Sequence, residues 1–390
     1  MAQTATTNGG RGRIRDVLPN VRFGKWPVGQ LNSITDVPGV LVSVQSLHPT
    51  PEINTGVTVI LPRSDWYDWS SPAGIFRLNG CGELTGTHWI EETGLLNSPI
   101  VITGTSGIGQ AFNGLRKYVA EELGGENRDH EIFTFPVVGE TYDGFLSHQN
   151  AFALKSDDVV KGIKMASSER VPEGNTGGGT GMICHHFKGG TGSSSRVVKG
   201  LNIHGEDTSY TVAVLLQANY GHRENLRIAG VPVGRILVEA GDPSPIEEEK
   251  IEARKDGSII IVLATDAPLH GLQLQRLAKR CALGLAKVGG YASNSSGDIF
   301  LAFSTATKVP TEKFQNGSSN PYVPQELRLG MSDDSTLTGL MEAAADATEE
   351  AVYNALCMAE TMEGKKGRRV RALDLERLRG IFGKLPEGWW

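Results

Sequence analysis

Short apolar runs of strand length recur along the chain, separated by glycine, proline and asparagine. Valine, isoleucine and leucine dominate these runs, and branched side chains of this kind favour extended backbone. The predicted strands lie within SITDVPGVLVSVQSL, NTGVTVILP, SPIVITGT, FTFPVVGETYDGFL, SYTVAVLLQANYGH, DGSIIIVLATDAPL and YASNSSGDIFLAFSTA. The first two of these segments stand close together, as the opening pair of a sheet would.

Longer segments between the strands repeat apolar residues every three or four positions, which is the period of an amphipathic helix. One of them carries Leu274, Leu277, Cys281 and Leu285 on one stripe and ends at paired glycines. The others are GQAFNGLRKYVAEEL, a segment around residues 159–166, TLTGLMEAAADATEEAVYNALCMAETM and LDLERLRGIFGKL. Because an apolar helix face must pack on another element, the pattern predicts one domain, residues 1–390, with two stacked sheets between helical layers.

The composition describes a soluble globular chain and excludes several classes of partner. Hydrophobic residues make up 39% of the 390 residues and the formal net charge is −6, so no basic surface for nucleic acid or an anionic membrane is expected. Four cysteines are scattered without a CxxC pair, which argues against a disulfide framework and favours a reducing compartment. Neither a signal peptide nor a run of about 18 apolar residues is visible. We therefore expect a cytoplasmic protein.

A serine stands at the junction between a charged segment and a buried strand. Ser258 follows Gly257 and precedes Ile259 to Val262, a run too short for a lone helix and apolar enough for a fully buried strand. The residues before it are charged and turn-rich, so the peptide bond between Gly257 and Ser258 joins an adjustable segment to a rigid one. This is a suitable place for a reactive bond, although Asp-Gly ahead of a strand is also an ordinary turn.

Polar side chains also cluster at the ends of other predicted strands, where a rigid support displays functional groups. The cluster GETYDG contains Glu140 and Tyr142. Asn219 ends another strand, and its side-chain amide can donate to a developing oxyanion. Ser296 and Asp298 alternate near the start of a third strand, and they share one face if the strand has begun there. Taken alone, the GETYDG cluster could equally be an exposed turn, and Asn-Tyr-Gly from Asn219 is a routine turn opener.

Two glycine-rich segments raise the question of a cofactor. TGTSGIG joins a predicted strand to a helix, but its G-x-x-G-x-G spacing differs from that of dinucleotide-binding turns, so a helix-entry turn is favoured. In GNTGGGTGMICHHFKGG, Cys184, His185 and His186 are adjacent, and neighbouring residues of a strand point to opposite faces. No second pair of ligands stands at zinc spacing. The sequence therefore predicts neither a metal nor another cofactor.

Several separate motifs, taken together and in order, resemble the DmpA family of self-cleaving aminopeptidases. They are GETYDG, LLQANYG, DGSIIIVLATDAPL with the QLQRLAKRCALGLAKVG that follows it, SSGDIFLAFSTA and ATEEAVYNAL. This family includes L-aminopeptidases that also hydrolyse D-amino acid esters and amides, and β-aminopeptidases, and it is related in fold to ornithine acetyltransferase. The resemblance extends from about Ser33 to Leu385. It implies a four-layer α/β/β/α sandwich and a homo-oligomer.

The resemblance also implies that the chain cleaves itself. Precursors in this family break just before the nucleophilic serine, which matches Ser258, so Gly257 becomes the new C-terminus. The expected fragments are residues 1–257 and 258–390. The freed α-amino group, with a reference pKa of about 7.7–8.0, can then take the proton of the serine hydroxyl without help from a histidine.

Roles for the polar residues at the strand ends follow from the same resemblance. It puts Asn219 and Tyr142 at the oxyanion, and Ser296 in the network that orients the nucleophile. Asp298 stands in that network at a position where the family can carry glutamate. Glu140 is a candidate partner for a substrate ammonium, since a partly buried carboxylate pairs well with a free amine.

These features favour a hydrolase that acts through an acyl-enzyme on small peptides, amides or esters with a free amino group. An acyl-enzyme can also be resolved by an amine, so acyl transfer or intramolecular cyclisation is the alternative reaction. A noncatalytic binding protein with the same fold is the alternative from another class. It is less favoured because Ser258, Asn219 and Tyr142 are all present.

Overall fold

The computed structural model describes residues 10–123, 134–246, 257–311, 320 and 322–386. Its strands are β1 (Leu41–Leu47), β2 (Thr55–Leu61), β3 (Trp69–Gly80), β4 (Leu95–Leu96), β5 (Ile100–Gly104), β6 (Val137–Thr141), β7 (Ile183–Cys184), β8 (Phe187–Lys188), β9 (Gly190–Leu201), β10 (Asp207–Asn219), β11 (Ser258–Thr265), β12 (Gly297–Ser304), β13 (Val309–Pro310), β14 (Met362–Gly364) and β15 (Arg368–Val370). Its helices are α1 (Ile14–Val17), α2 (Thr87–Thr93), α3 (Ile108–Tyr118), α4 (Ser156–Met165), α5 (Val233–Glu239), α6 (Gly271–Val288), α7 (Thr338–Cys357) and α8 (Leu375–Phe382). The strands and helices predicted from the apolar pattern are confirmed. That pattern does not predict β3, β9 and α5, nor the short elements α1, β4, β13, β14 and β15. Within the described ranges, no helix is long and apolar enough to cross a membrane.

Two sheets are stacked between helices. The smaller sheet has the order β1-β2-β5-β6, and the larger has the order β13-β3-β12-β11-β10-β9, with β4 paired to β3. One apolar cluster joins the outer face of the smaller sheet to α3 and α4, a second fills the space between the sheets, and a third joins the larger sheet to α6 and α7. The predicted four-layer α/β/β/α sandwich is therefore confirmed.

The apolar run of β11 is buried on both faces. Ile259 and Ile261 belong to the cluster on the helix side, whereas Ile260 and Val262 belong to the cluster between the sheets. All four are fully buried, and each contributes on the order of 1.5–3 kcal/mol by removing apolar surface from water. Packing on both faces fixes the register of β11 in the sheet. The position of its first residue, Ser258, is fixed with it.

The larger sheet is built from both sides of the bond between Gly257 and Ser258. Strands β3, β9 and β10 precede this bond, and β11, β12 and β13 follow it. β11 pairs with β10 in the antiparallel sense and with β12 in the parallel sense. A break in the chain at this bond would therefore leave two fragments joined by a continuous hydrogen-bonded sheet.

Candidate active site

Ser258 lies where β10 ends and β11 and β12 begin. It pairs across the sheet with Asn219, the last residue of β10. The backbone N–H of Gly297, the first residue of β12, donates to Ser258 Oγ at 3.1 Å. The serine is buried, with 6% of its surface exposed. Its hydroxyl oxygen is thus held by a backbone donor on a strand that cannot readily shift.

Gly257 is in closer contact with β10 than any residue with a side chain could be. A Cβ atom at this position would overlap the carbonyl oxygen of Asn219 and lie 2.8 Å from the Cα of Tyr220. This backbone approach gives a steric reason for glycine immediately before Ser258, beyond its use in turns. The peptide bond that precedes Ser258 is therefore held firmly against the end of β10.

The Asn219 side-chain amide is fixed at both ends. Its Oδ1 accepts a hydrogen bond from the Ile183 N–H at 2.9 Å, and its Nδ2 donates to the Tyr142 carbonyl oxygen at 3.0 Å. An amide nitrogen carries two hydrogens, so one remains for the oxygen of a substrate. Tyr142 contacts this amide through its backbone. Its phenol packs over Gly144 and is half exposed, with 49% of the residue surface accessible.

Ser296 and Asp298 form a separate, buried hydrogen-bonded group. Ser296 Oγ donates to Asp298 Oδ1 at 2.7 Å, and Asn79 Nδ2 donates to Asp298 Oδ2 at 3.3 Å and to the Ser293 carbonyl at 2.9 Å. A β-bulge in the pairing of β3 with β12 lies beside Asp298 and sets the direction of Asn79. Burial is the main cause that raises the pKa of Asp298 to about 6, and its hydrogen bonds oppose this rise.

The predicted site residues lie on two faces of the larger sheet. By the alternation of a strand, Ser258 shares the face of Ile260, which packs towards the smaller sheet. Asp298 shares the face of Phe300, which packs towards the helices. On this helix side, a small cavity next to Gly257 is lined by residues that include Tyr220, Ser296 and Asp298. The backbone at the start of β11 separates the serine hydroxyl from the Asp298 carboxyl.

Glu140 belongs to β6 of the smaller sheet and lies near Gly297, whose N–H holds Ser258 Oγ. Its Oε1 accepts from the Glu83 N–H at 3.2 Å, and its Oε2 accepts from the Thr105 hydroxyl. Burial is the main cause that raises the pKa of Glu140. A Cβ on Gly82 would lie 3.4 Å from Glu140 Oε1 and 3.0 Å from the Cα of Gly297. A single glycine therefore separates this carboxyl from the backbone that holds Ser258 Oγ.

Several groups in the site are not identified by the sequence analysis. Thr105 lies in the TGTSGIG turn, which is a helix-entry turn as predicted, and it binds Glu140. A signal was available, because β5 and β6 run parallel and Thr105 and Glu140 therefore stand at the same sheet edge. The N–H groups of Ile183 and Gly297 and the amide of Asn79 have no such signal, since long-range pairing brings them to the site.

The adjacent histidines occupy a tight turn. His185 and His186 have positive φ values of 49° and 65° and join β7 to β8, so the alternation of strand faces does not describe them. His185 Nδ1 pairs with the carbonyl of His222 at 3.0 Å. In the part of the chain that the structure describes, no group of three or more His, Cys, Asp or Glu side chains is arranged to hold a metal ion.

Comparisons with known proteins identify relatives over nearly the whole chain. The model of peptidase family S58 matches residues 32–370. The β-peptidyl aminopeptidase BapA of Sphingosinicella microcystinivorans is 41% identical over 386 residues, which cover 95% of this chain and 92% of that protein. A solved β-aminopeptidase from Burkholderia sp. has a TM-score of 0.84 and 40% identity, with coverage of 97% of this chain and 100% of that chain.

A second solved relative is described in terms of both activity and fold. It is the L-aminopeptidase D-Ala-esterase/amidase of Ochrobactrum anthropi, described as a prototype for the serine aminopeptidases and a variant of the Ntn (N-terminal nucleophile) hydrolase fold. Its TM-score is 0.82 and its identity is 42%, with coverage of 96% of this chain and 99% of that chain.

Proposed function

Because the chain belongs to peptidase family S58 and is a serine aminopeptidase of the Ntn-hydrolase type, we propose that Ser258 is its nucleophile and that it is freed by self-cleavage. The family resemblance inferred from the motifs is thereby confirmed. The observation that carries the proposal is the junction itself. Ser258 Oγ is held by the Gly297 N–H, the Asn219 amide lies on the paired residue, and Gly257 is pressed against β10.

Self-cleavage needs only the chain and one water molecule. Ser258 Oγ attacks the carbonyl carbon of Gly257, the C–N bond breaks, and the hydroxyl proton moves to the departing nitrogen. The product is an ester with a free amine on Ser258. Water then hydrolyses the ester and leaves a carboxylate on Gly257. The fragments 1–257 and 258–390 stay associated because both contribute strands to the larger sheet.

Turnover then uses the amine released in that step. The Ser258 amine accepts the hydroxyl proton as Oγ attacks the carbonyl carbon of a substrate, and Asn219 Nδ2 donates to the oxyanion that forms. Tyr142 lies beside this amide. The leaving amine takes the proton, and water resolves the acyl-enzyme. Ser296 and Asp298, on the helix side of β11, orient the amine of Ser258.

Glu140 accounts for a requirement for a free amino group in the substrate. Burial raises the pKa of its carboxyl, which means that the charged form is poorly stabilised in the protein alone. The ammonium of a bound substrate would stabilise the carboxylate by pairing with it. We propose small peptides, amides and esters with an N-terminal amine as substrates. β-Amino acids at the N-terminus are the first class to assay, because several similar proteins are β-aminopeptidases. No cofactor enters these steps.

Assembly and location remain predictions. We propose a homo-oligomer, and the segment after β13 offers apolar side chains for contacts, since Tyr322, Val323, Leu327, Leu329 and Met331 are exposed. Light scattering that gives the mass of a monomer would contradict this proposal.

The cytoplasmic location is an expectation from the cysteine pattern, and fractionation of the source cells would check it.

Cleavage at Ser258 is the feature to test. Intact mass of the purified protein should show two fragments, the smaller beginning SIIIVLATDA, and the fragments should elute together in gel filtration. The Ser258→Ala variant should fold, with a melting temperature close to that of the wild type. It should remain a single uncleaved chain and release no product from amino-acyl nitroanilides. A fully active wild-type chain without a break would contradict both the cleavage and the use of an N-terminal amine as base.

A further inference from the structure

Lys188 is a buried cation without a carboxylate partner in the part of the chain that the structure describes. Its residue surface is fully buried, and Nζ donates to the carbonyl oxygens of Met182 at 2.8 Å and Gly189 at 2.7 Å. A longer contact of 3.5 Å reaches the Gly179 carbonyl. Burial lowers the pKa of Lys188 to about 7. An apolar side chain of similar length would fill this space without the cost of burying an amine, so packing alone does not account for a lysine here.

The carbonyl that Lys188 holds belongs to a peptide group that also contacts the active site. Lys188 Nζ donates to the Met182 oxygen, and the N–H on the other side of the same peptide bond, that of Ile183, donates to Asn219 Oδ1 at 2.9 Å. The Gly189 N–H also donates to the Met182 oxygen at 3.0 Å. A single planar peptide group therefore connects the Lys188 amine to the Asn219 amide.

The orientation of the Asn219 amide decides whether it can serve as a donor. A rotation that exchanged its Oδ1 and Nδ2 atoms would turn an acceptor towards the substrate oxyanion. The Ile183 N–H opposes this exchange because it requires an acceptor, and a donor on the Met182 oxygen polarises that N–H further. We propose that Lys188 is a positioning residue that acts on Asn219 through the Met182–Ile183 peptide group. This inference depends on the proposed oxyanion role of Asn219.

The local backbone gives Lys188 a second reason to be fixed. The hairpin β7–β8 turns through His185 and His186, whose positive φ values are unfavourable for residues other than glycine. Contacts at the ends of the hairpin hold it in place. The His185 N–H donates to the Tyr220 carbonyl at 2.6 Å, and the Lys188 N–H donates to the Arg371 carbonyl at 2.9 Å. Through its Nζ, Lys188 also connects the hairpin to Met182, the residue that precedes β7.

The first test replaces the amine and keeps the length of the side chain. In Lys188→Met we expect kcat to fall about tenfold, less than the loss expected for a direct oxyanion donor, while KM stays within about twofold. The matched control is Phe187→Leu, which removes buried volume from the same hairpin and leaves the amine and its contacts in place. Its kcat should stay near the wild-type value. Titration with a serine-directed covalent reagent would count the competent sites in each sample.

The second test asks whether the two side chains act as one unit. With Asn219 already replaced by alanine, Lys188→Met should cause no further loss of kcat, because the amide that it positions is absent. A repeated tenfold loss in the double variant, or an equal loss in Phe187→Leu, would overturn the inference and leave the role of Asn219 standing. Unchanged turnover in Asn219→Ala alone would overturn the oxyanion role and the inference together. If Lys188→Met fails to fold, Lys188→Gln, which keeps a donor, should retain more activity than Lys188→Leu.

Discussion

The two faces of the larger sheet at the start of β11 carry different chemistry. On the face towards the smaller sheet, Ser258 Oγ and the Asn219 amide are held by uncharged backbone groups. On the helix face, Ser296 and Asp298 form a titratable pair, and burial raises the pKa of Asp298 to about 6. In the proposed mechanism, attack and oxyanion stabilisation belong to one face, and proton handling belongs to the other.

This separation has an electrostatic advantage. A carboxylate next to the oxyanion would oppose the negative charge that develops there, whereas fixed uncharged dipoles stabilise it. The backbone nitrogen of Ser258 belongs to the strand between the two faces. In the proposed mechanism it becomes the amine that acts on the serine hydroxyl and is oriented by the Asp298 group. Glu140 does lie on the side of the nucleophile, but burial raises its pKa and an ammonium is its proposed partner.

The largest expected effect is on the face that carries the nucleophile. Asn219→Ala should reduce kcat on the order of 10²–10³, the usual effect of losing one oxyanion donor. KM should change little, because the donor acts on charge that forms only in the transition state. Steady-state kinetics on a free-amine nitroanilide would measure the loss, with thermal unfolding as the control for folding. Turnover equal to that of the wild type would remove Asn219 from the site.

The sequence alone predicts the position of Ser258, the proposed nucleophile, in the fold because its signal is local. An apolar run that begins at Ser258 predicts a doubly buried strand, and the structure has that strand with Ser258 at its first position. The motifs around Asn219 and Asp298 are local in the same way. The roles of Ile183 and Lys188 could not be predicted, since each depends on which peptide group the fold brings to Asn219.

Strand β9 shows what an apolar pattern cannot reveal. Ser193 and Arg196 are fully buried within it, although both are polar. Ser193 Oγ donates to the Val214 carbonyl at 2.7 Å, and Arg196 Nη2 binds Glu350 Oε2 at 2.7 Å. Burial of these side chains is possible because partners from distant parts of the chain satisfy their hydrogen bonds. No local period in the sequence indicates such partners.

Titration of Asp298 on the helix face should make the free energy of unfolding depend on pH. Burial raises the pKa of Asp298 in the folded state to about 6, above its ordinary value of 3.8. In the Ser258→Ala background, where the chain stays uncleaved, the folded state should therefore bind this proton more tightly than the unfolded state. Stability therefore falls as the pH rises from about 4 to about 6, and the full loss remains above that range. Asp298→Asn removes this term. Its stability relative to the Ser258→Ala parent should increase by about 2–3 kcal/mol between about pH 4 and about pH 7.

Urea unfolding of both proteins at the two pH values would measure that difference. If asparagine makes a weaker hydrogen bond than aspartate, the free energy of unfolding falls by the same amount at both pH values. Only the change of the stability difference with pH is therefore informative. A difference that is constant with pH, or that shrinks as the pH rises, would contradict the assignment of a raised pKa to Asp298.

The smallest effect is expected at Glu140, because its replacement leaves the reacting groups in place. Glu140→Gln keeps the shape of the side chain but removes the charge that we propose binds the substrate ammonium. A hydrogen bond to a charged group contributes about 1.5–3 kcal/mol, and the glutamine oxygen can still accept a hydrogen bond from the ammonium. We therefore expect a loss near the lower end of that range, a fall of about tenfold to thirtyfold in kcat/KM for free-amine substrates. The N-acetylated analogues lack the ammonium, and their slow hydrolysis should change by less than about twofold.

Glu83→Gln is the matched control for this prediction. Glu83 is exposed and contacts the Glu140 carboxylate through its backbone N–H, so the substitution removes a nearby charge and keeps that hydrogen bond. Equal losses in the two variants would mean that only the general negative field near the site attracts the amine. If only Glu140→Gln loses activity, the ratio of kcat/KM for free-amine substrates to kcat/KM for N-acetylated substrates should also fall. That result would show that direct pairing with Glu140 selects the amine. Wild-type enzyme that hydrolysed both substrates at the same rate would contradict an ammonium site at Glu140.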